Sequence, residues 1–413
     1  MKRTATSCYI LPLLLCAAGA AQATDHTADS FTEMFTKGKA GIDLRYRYEH
    51  VSDDALDRSG MANTLRSRLT LETAAWYGVS GLIEGDNVWD FESDNYNSLE
   101  HRGRNNKQWR YPVIADPTGT GLNQVWLRYA GKTYDGTLGR QRINHGNQRF
   151  VGGVSWRQNE QTFDAFRATW RPWEVLNLDF SYVDRVKRVF GPDDGALPAD
   201  WQGDNYLARA DYQLNDRQKI SAFGYWLDID SDGPYSRAQT VNNSSDTYGI
   251  EYRGNFDRWS AAATYAHQSD AGSSKLNYDA DYYMVELGAR ASVFDLKAGY
   301  EVLASDNDVG FQTPLATLHK FQGWADQFLV TPGGGIEDIY GSAGTTLGPV
   351  KLSLIYHDFQ AESGGGDYGQ EWDMVATWAL TKRFTVQAHG AHFLGDDDYE
   401  DVDKIWFTAQ YKM

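Results

Sequence analysis

Apolar and polar residues alternate one by one along most of this chain. Ala40, Ile42, Leu44, Tyr46 and Tyr48 alternate with Gly41, Asp43, Arg45, Arg47 and Glu49. Leu65, Ser67, Leu69 and Leu71 alternate with Arg66, Arg68, Thr70 and Glu72. Val125, Leu127 and Tyr129 continue the pattern, as do Tyr248, Ile250 and Tyr252, and later Trp372, Met374, Ala376 and Trp378. A period of two belongs to β-strands, whose side chains point to the two faces in turn. The final stretch does the same. Ile405, Phe407, Ala409, Tyr411 and Met413 share one face, while Lys404, Trp406, Thr408, Gln410 and Lys412 share the other. At the edge of a soluble sheet such an aromatic-rich strand would be adhesive. A closed barrel has no edge, and lipid can cover its apolar face.

The connectors alternate as well. Short ones fall at Ala75-Trp76, Gly131-Lys132, Arg171-Pro172-Trp173, Asn215-Asp216, Gly254-Asn255, Ala291-Ser292, Gly348-Pro349 and Thr381-Lys382. Long polar ones cover roughly 51–62, 90–120, 144–161, 187–203, 229–246, 268–280, 304–337, 360–370 and 394–402. About 18 strands lie between them, an even number as expected of a single-chain bacterial barrel. Residues 137–143 carry Gly139 in mid-run and 338–346 alternate weakly, so 16 strands is the fallback. The predicted class is all-β: a transmembrane antiparallel β-barrel over 39–413, with short periplasmic turns and long extracellular loops. Two-sheet sandwiches lack this short–long rhythm.

The N-terminus adds a destination. Lys2 and Arg3 precede an apolar run interrupted by Pro12, and Ala21-Gln22-Ala23 fits a leader cleavage site. Residues 1–23 therefore read as a Sec-type signal peptide cleaved after Ala23, and 24–38 as a short periplasmic lead-in. The destination is the outer membrane of a Gram-negative bacterium. A lipoprotein anchored at Cys16 is the alternative, although Leu15 stands where a small residue is wanted. Both cysteines, Cys8 and Cys16, lie inside this leader, so the mature chain would have no disulfide, thiolate metal site or cysteine nucleophile. No later run reaches the roughly 18–20 apolar residues of a membrane helix. The 14 Trp, 25 Tyr and 18 Phe suit the interfacial girdles of a barrel. The net charge of −17 argues against a nucleic-acid partner.

If the apolar faces meet lipid, the opposite faces meet water. Arg45, Arg47, Arg66, Arg68, Arg128, Arg140, Arg142, Arg167 and Arg209 would then point into the lumen, together with Asp43, Glu72, Glu84, Asp86, Asp179 and Asp211. A basic wall in a low-dielectric tube concentrates anions. Arginine also grips carboxylates through two parallel hydrogen bonds. The same residues could form a cross-barrel charge ladder that stiffens the wall, and both roles can coexist. Residues 144–161 form the third outer loop, with amides, arginines and glycines suited to an inward fold. Arg149, Arg157, Gln158 and Asn159 are the expected constriction; an ordinary outward loop is the alternative.

Acidic loop clusters at Asp53, Asp54 and Asp57, at Asp228, Asp230 and Asp232, and over 396–401 read as solvated surface, bridged through divalent ions to lipopolysaccharide. None has the calcium-loop spacing. No G-x-S-x-G elbow is present. His389 and His392 fall on opposite strand faces and cannot chelate one metal together, and His357 reads as a polar wall residue. No catalytic residue, metal or cofactor is expected.

Several stretches resemble the alginate export family of outer-membrane barrels: Leu138-Gly139-Arg140-Gln141-Arg142-Ile143-Asn144, Arg149-Phe150-Val151-Gly152 and Trp156-Arg157-Gln158-Asn159-Glu160-Gln161-Thr162-Phe163-Asp164. Others are Thr64-Leu65-Arg66-Ser67-Arg68-Leu69, Tyr111-Pro112-Val113-Ile114-Ala115-Asp116-Pro117 and the run over 313–326. The resemblance implies an 18-stranded barrel with an arginine-lined lumen, associated with anionic polysaccharide. One departure is visible. A secretion channel of that family is expected to close its pore with a long periplasmic loop, whereas every inner turn here is short. A gate would have to be an outer loop such as 90–120 or 304–337.

The expected function is passive diffusion of anionic solutes such as uronate sugars or oligosaccharides. The alternatives are export of an anionic exopolysaccharide and a structural barrel blocked by its loops. Expected partners are outer-membrane lipid, lipopolysaccharide, the anionic solute, and the barrel-assembly machinery through the C-terminal strand.

Overall fold

The computed structural model describes residues 27–91, 95–100, 108–230 and 240–413. The leader, its cleavage site, both cysteines and Asp232 lie outside the described residues.

A short helix α1 (Phe31–Thr36) leads into the first strand, β1 (Lys39–Asp53). There follow β2 (Gly60–Glu72), β3 (Val79–Asp90), β4 (Gly119–Ala130), β5 (Tyr134–Gln141) and β6 (Thr162–Trp173). The middle of the chain forms β7 (Leu176–Lys187), β8 (Asp200–Asn215), β9 (Gln218–Leu227), β10 (Ser245–Phe256), β11 (Trp259–Asp270), β12 (Asp279–Ala291) and β13 (Phe294–Leu303). A two-residue ladder, β14 (Ser305–Asp306) with β15 (Val309–Gly310), decorates the next loop. The last strands are β16 (Ile336–Leu347), β17 (Val350–Gln360), β18 (Asp367–Ala379), β19 (Phe384–Gly395) and β20 (Val402–Lys412).

Apart from the small ladder, every strand pairs antiparallel with its neighbours in one 18-stranded sheet. β20 pairs with β1, setting Phe407 opposite Tyr48 and Tyr411 opposite Leu44, so the sheet closes into a barrel without an edge. The two weakly patterned segments are both strands. β5 carries Gly136 and Gly139. β16 presents the small residues Gly341 and Ala343 on its outer face, which dilutes the alternation without breaking the ladder.

The outer face is apolar. Leu69, Leu127, Val285, Met374 and Ile405 are all more than half exposed, far beyond what a water-facing surface of continuous hydrophobes tolerates. The inner face is buried and largely polar. Asp43, Arg45, Arg47 and Glu49 alternate with the outward Leu44, Tyr46 and Tyr48, and Arg66 and Arg68 point inward beside them. No helix among the described residues is long and apolar enough to cross a membrane, and the crossing elements of such a barrel are its strands.

Candidate functional site: an off-centre lumen

The loop between β5 and β6 folds inward. It is built on its own backbone first. Gln148 bonds back to the His145 carbonyl (2.8 Å), and the Asn144 side chain accepts from the Gly153 amide (2.8 Å). Long side chains then fasten it to the wall. Arg149 donates to Glu301 on β13 (2.7 Å) and to Gln322 (2.9 Å), with its guanidinium over the Phe321 ring. Arg157 reaches Glu49 on β1 (3.1 Å) and Asp326 (3.0 Å). Gln158 donates to the Thr64 hydroxyl (2.8 Å) and accepts from the Arg45 Nε (2.9 Å); Asn159 donates to the Pro117 carbonyl (2.9 Å).

The long loop after β15 joins it. The Gly152 amide donates to the Leu315 carbonyl (2.8 Å) and the Thr317 amide to the Gln148 carbonyl (3.0 Å). Trp156 lies flat against His319, ring centroids 4.2 Å apart and 12° from parallel, with His389 and Trp406 packed on the same indole. On the far side of this loop the Trp324 and Ala325 amides donate to Asp373 (3.2 Å) and Glu371 (2.7 Å) of β18. Gly323, at φ +78°, makes the turn; a Cβ there would run into the Glu371 carboxylate. Asp326 gathers His319 (2.7 Å), Arg157 (3.0 Å) and Lys404 of β20 (3.0 Å). Burial works to raise its pKa, but the Lys404 charge and the hydrogen bond from His319 hold it well below the ordinary carboxylate range. Being ionised, Asp326 can only accept, so His319 carries its hydrogen on Nδ1. Burial keeps this imidazole neutral, with its pKa lowered against the pull of Asp326.

The two loops therefore seal the lumen against the wall formed by β18, β19, β20 and β1, and the space left open is bordered by β2–β7, β9–β13, β16 and β17. That cavity has a volume of about 1040 Å³. Asn144, Asn147 and Gln148 of the first loop and Lys320, Phe321 and Gln322 of the second form its border. Its wall carries Arg128, Arg142, Arg167, Arg171, Lys219, Arg253 and Lys297. Carboxylates pair with these cations. Arg167 is 25% exposed against 6% for its partner Asp179, and Arg253 34% against 4% for Glu251. Arg142 pairs with Glu84 and Glu160, and Arg171 with Asp135. In each of these pairs the cation is the more exposed partner, although Glu72, Glu84, Asp135, Asp179, Glu286, Glu301 and Asp338 border the same cavity.

Each expected lumen arginine has a definite place. Arg128, Arg142 and Arg167 border the cavity. Arg45, Arg47, Arg66 and Arg68 face inward but lie beneath or beside the first loop. Arg45 donates to the Ser155 carbonyl (2.9 Å), Arg47 stacks on Trp156 (4.4 Å), Arg66 pairs with Asp43 (2.8 Å), and Arg68 grips Asp86 through two bonds of 2.6 and 2.7 Å. Arg209 is buried between Asp211 and Glu251. These five act as lattice. Arg140 departs from the expectation. Register sets it opposite Val125 and Asp164, on the face of the exposed Leu138, so it lies on the outer wall, clamped by Asp164 with two 2.7 Å bonds. The loop 144–161 does turn inward, but Arg149, Arg157, Gln158 and Asn159 are its anchors rather than its border with the cavity. Arg149, Arg157 and Gln158 are buried and Asn159 is half-buried. The inward polar face of each strand pointed to Lys219, Arg253 and Lys297; Arg171 was hidden by the adjoining Pro172, read as a turn. Among the described residues no cluster of three or more His, Cys, Asp or Glu could hold a metal ion.

No family model matches the sequence, and no curated protein matches it. Solved structures do share the fold. OccK9 (OpdG) of Pseudomonas aeruginosa superposes with a TM-score of 0.69 at 14% identity, covering 92% of this chain and 99% of that one. OccAB2 of Acinetobacter baumannii gives 0.69 at 13% identity over 92% and 99%. OpdK of Pseudomonas aeruginosa, crystallised with vanillate, gives the same values. At these identities the likeness establishes the closed 18-stranded barrel.

Proposed function

We propose that this chain is a porin-like outer-membrane channel through which small anionic solutes diffuse passively. The observation that carries this reading is that the cations bordering the open lumen are each more exposed than the carboxylates they pair with. An anion entering there meets Arg142, Arg167, Arg128 and Arg171 on one side and Lys219, Arg253 and Lys297 on the other. Forked guanidiniums favour carboxylates, and the loop amides of Asn144, Asn147 and Gln148 offer partners to hydroxyl groups. Uronate sugars and their short oligomers combine both features. One similar barrel was solved with vanillate, a small carboxylate. The resemblance to the alginate export family has no matching family model behind it, and the similar solved barrels support the porin-like reading alone. Polymer export would require both loops to leave the lumen, breaking the Arg157–Asp326–Lys404 cluster and unstacking Trp156 from His319.

On this reading the short turns face the periplasm, lipid and lipopolysaccharide cover the outer wall, and β20 is the strand addressed to the assembly machinery. The chain is a conduit, not a catalyst. Proteoliposome swelling tests the proposal: galacturonate should enter faster than galactose, and equal rates, or faster entry of galactose, would defeat it.

A further inference from the structure

Helix α1 is held in a fixed pose at the short-turn end of the barrel. Met34 packs with Ala28, Ala74 and Trp76, its carbonyl accepts from the Ala74 amide (2.8 Å), and Thr27 bridges to Ala75. Phe31 and Phe35, one helical turn apart, project beside Met34 and are 60% and 61% exposed. Phe31 meets Phe35 and Trp76 edge-on, at 5.3 and 5.9 Å, and Trp76 adjoins Tyr77, which is 84% exposed. The opposite side of the helix is polar, with Glu33 and Lys37 paired at 2.7 Å. Unlike a chance surface ring, this patch runs into the apolar outer wall. Val79 follows Tyr77 closely and stands opposite Tyr129, which stacks on Tyr134 at 5.6 Å.

We propose that α1 and the β2–β3 turn form an interfacial foot that sinks Phe31, Phe35 and Tyr77 among the phospholipids of the inner leaflet. This rests on the outer-membrane reading above. Aromatic rings gather at the boundary between headgroup and acyl chain, and a helix with one apolar and one charged side lies flat in that plane. Phospholipid is the occupant because the patch is continuous with the belt that lipid already covers. A protein partner would instead leave these rings in water in the isolated barrel.

Site-directed spin labelling in proteoliposomes tests it, in a Cys8→Ser, Cys16→Ser background. Labels go at Phe35→Cys, Phe31→Cys, Thr32→Cys and, as a belt control, Val285→Cys. The labels at 31 and 35 should relax with oxygen as the belt label does, while the label at 32 relaxes with a water-soluble nickel reagent. Nickel access at 31 and 35 with a lipid-exposed label at 285 would overturn the foot alone. Nickel access at 285 as well would overturn the membrane reading together with it.

Discussion

Arg157 meets the Asp326 carboxylate at 3.0 Å, joining two loops through residues 169 positions apart in the chain. Through Lys404 the same carboxylate fastens both loops to the strand that closes the barrel. Replacing Asp326 by alanine leaves two buried cations without it, at a cost of about 3–5 kcal/mol. The barrel should still assemble, since its ladder is untouched, but the loops should come loose. Single-channel recording of Asp326→Ala should show larger, flickering conductance, and a quiet channel of unchanged size would contradict the anchor.

His319 makes the loop contact sensitive to pH. Burial depresses its folded pKa below the ordinary value of 6.5, so a released loop takes up the proton before the docked one does. The stacked, docked state is therefore fully favoured above 6.5 and loses ground as pH falls from there toward the depressed value. Asp326 stays ionised as pH falls below 6.5, because its pKa is held well below the ordinary carboxylate range. Open-channel noise should rise on acidification in the parent chain, and His319→Gln should remove that part of the response.

Gly323 supplies a third test. Its left-handed backbone and the nearby Glu371 leave no place for a methyl group. Gly323→Ala should weaken docking on β18 by at least about 1 kcal/mol. Limited proteolysis should then cut near residue 323 faster than in the parent, with the barrel itself resistant.

Much of this architecture was legible in the alternation of side chains. The inward aim of Arg66 and Arg68, the outward aim of Leu69 and Ile405, and the number of strands all follow from a period of two combined with the connector rhythm. What that period cannot reveal is which inward residues a loop will cover. Arg45 and Arg128 look alike in sequence, yet Arg45 lies beneath Ser155 and Gln158 while Arg128 borders open space. Arg140 was grouped with Arg142, two residues on, but β5 ends at Gln141, so Arg142 lies past the strand and does not share the face of Arg140. Arg149 and Arg157 were placed on the right loop. Their partners Glu301 and Asp326 lie more than a hundred residues away, so their anchoring role is a tertiary fact.

The outer wall gives a separate prediction. Val285 is half exposed near the middle of β12 and faces away from the lumen. Val285→Arg should destabilise the barrel in a bilayer by about 2–4 kcal/mol. Urea titration of the lipid-embedded protein reads this out, and a loss near zero would mean that this face does not meet hydrocarbon.

The cavity cations and the covered cations should part company in selectivity. A buried guanidinium shielded by loop carbonyls contributes less to the field at the open lumen than one facing water there. Arg253→Gln and Arg171→Gln should each lower the anion-to-cation permeability ratio, whereas a correctly folded Arg66→Gln should leave it close to the parent value.

Reversal potential across a planar bilayer under a salt gradient addresses the cationic lining itself. The account predicts discrete channel openings whose reversal potential shifts toward the anion equilibrium value, and a further fall in current when galacturonate occupies the lumen. A shift toward the cation value, or no conductance at all, would contradict it.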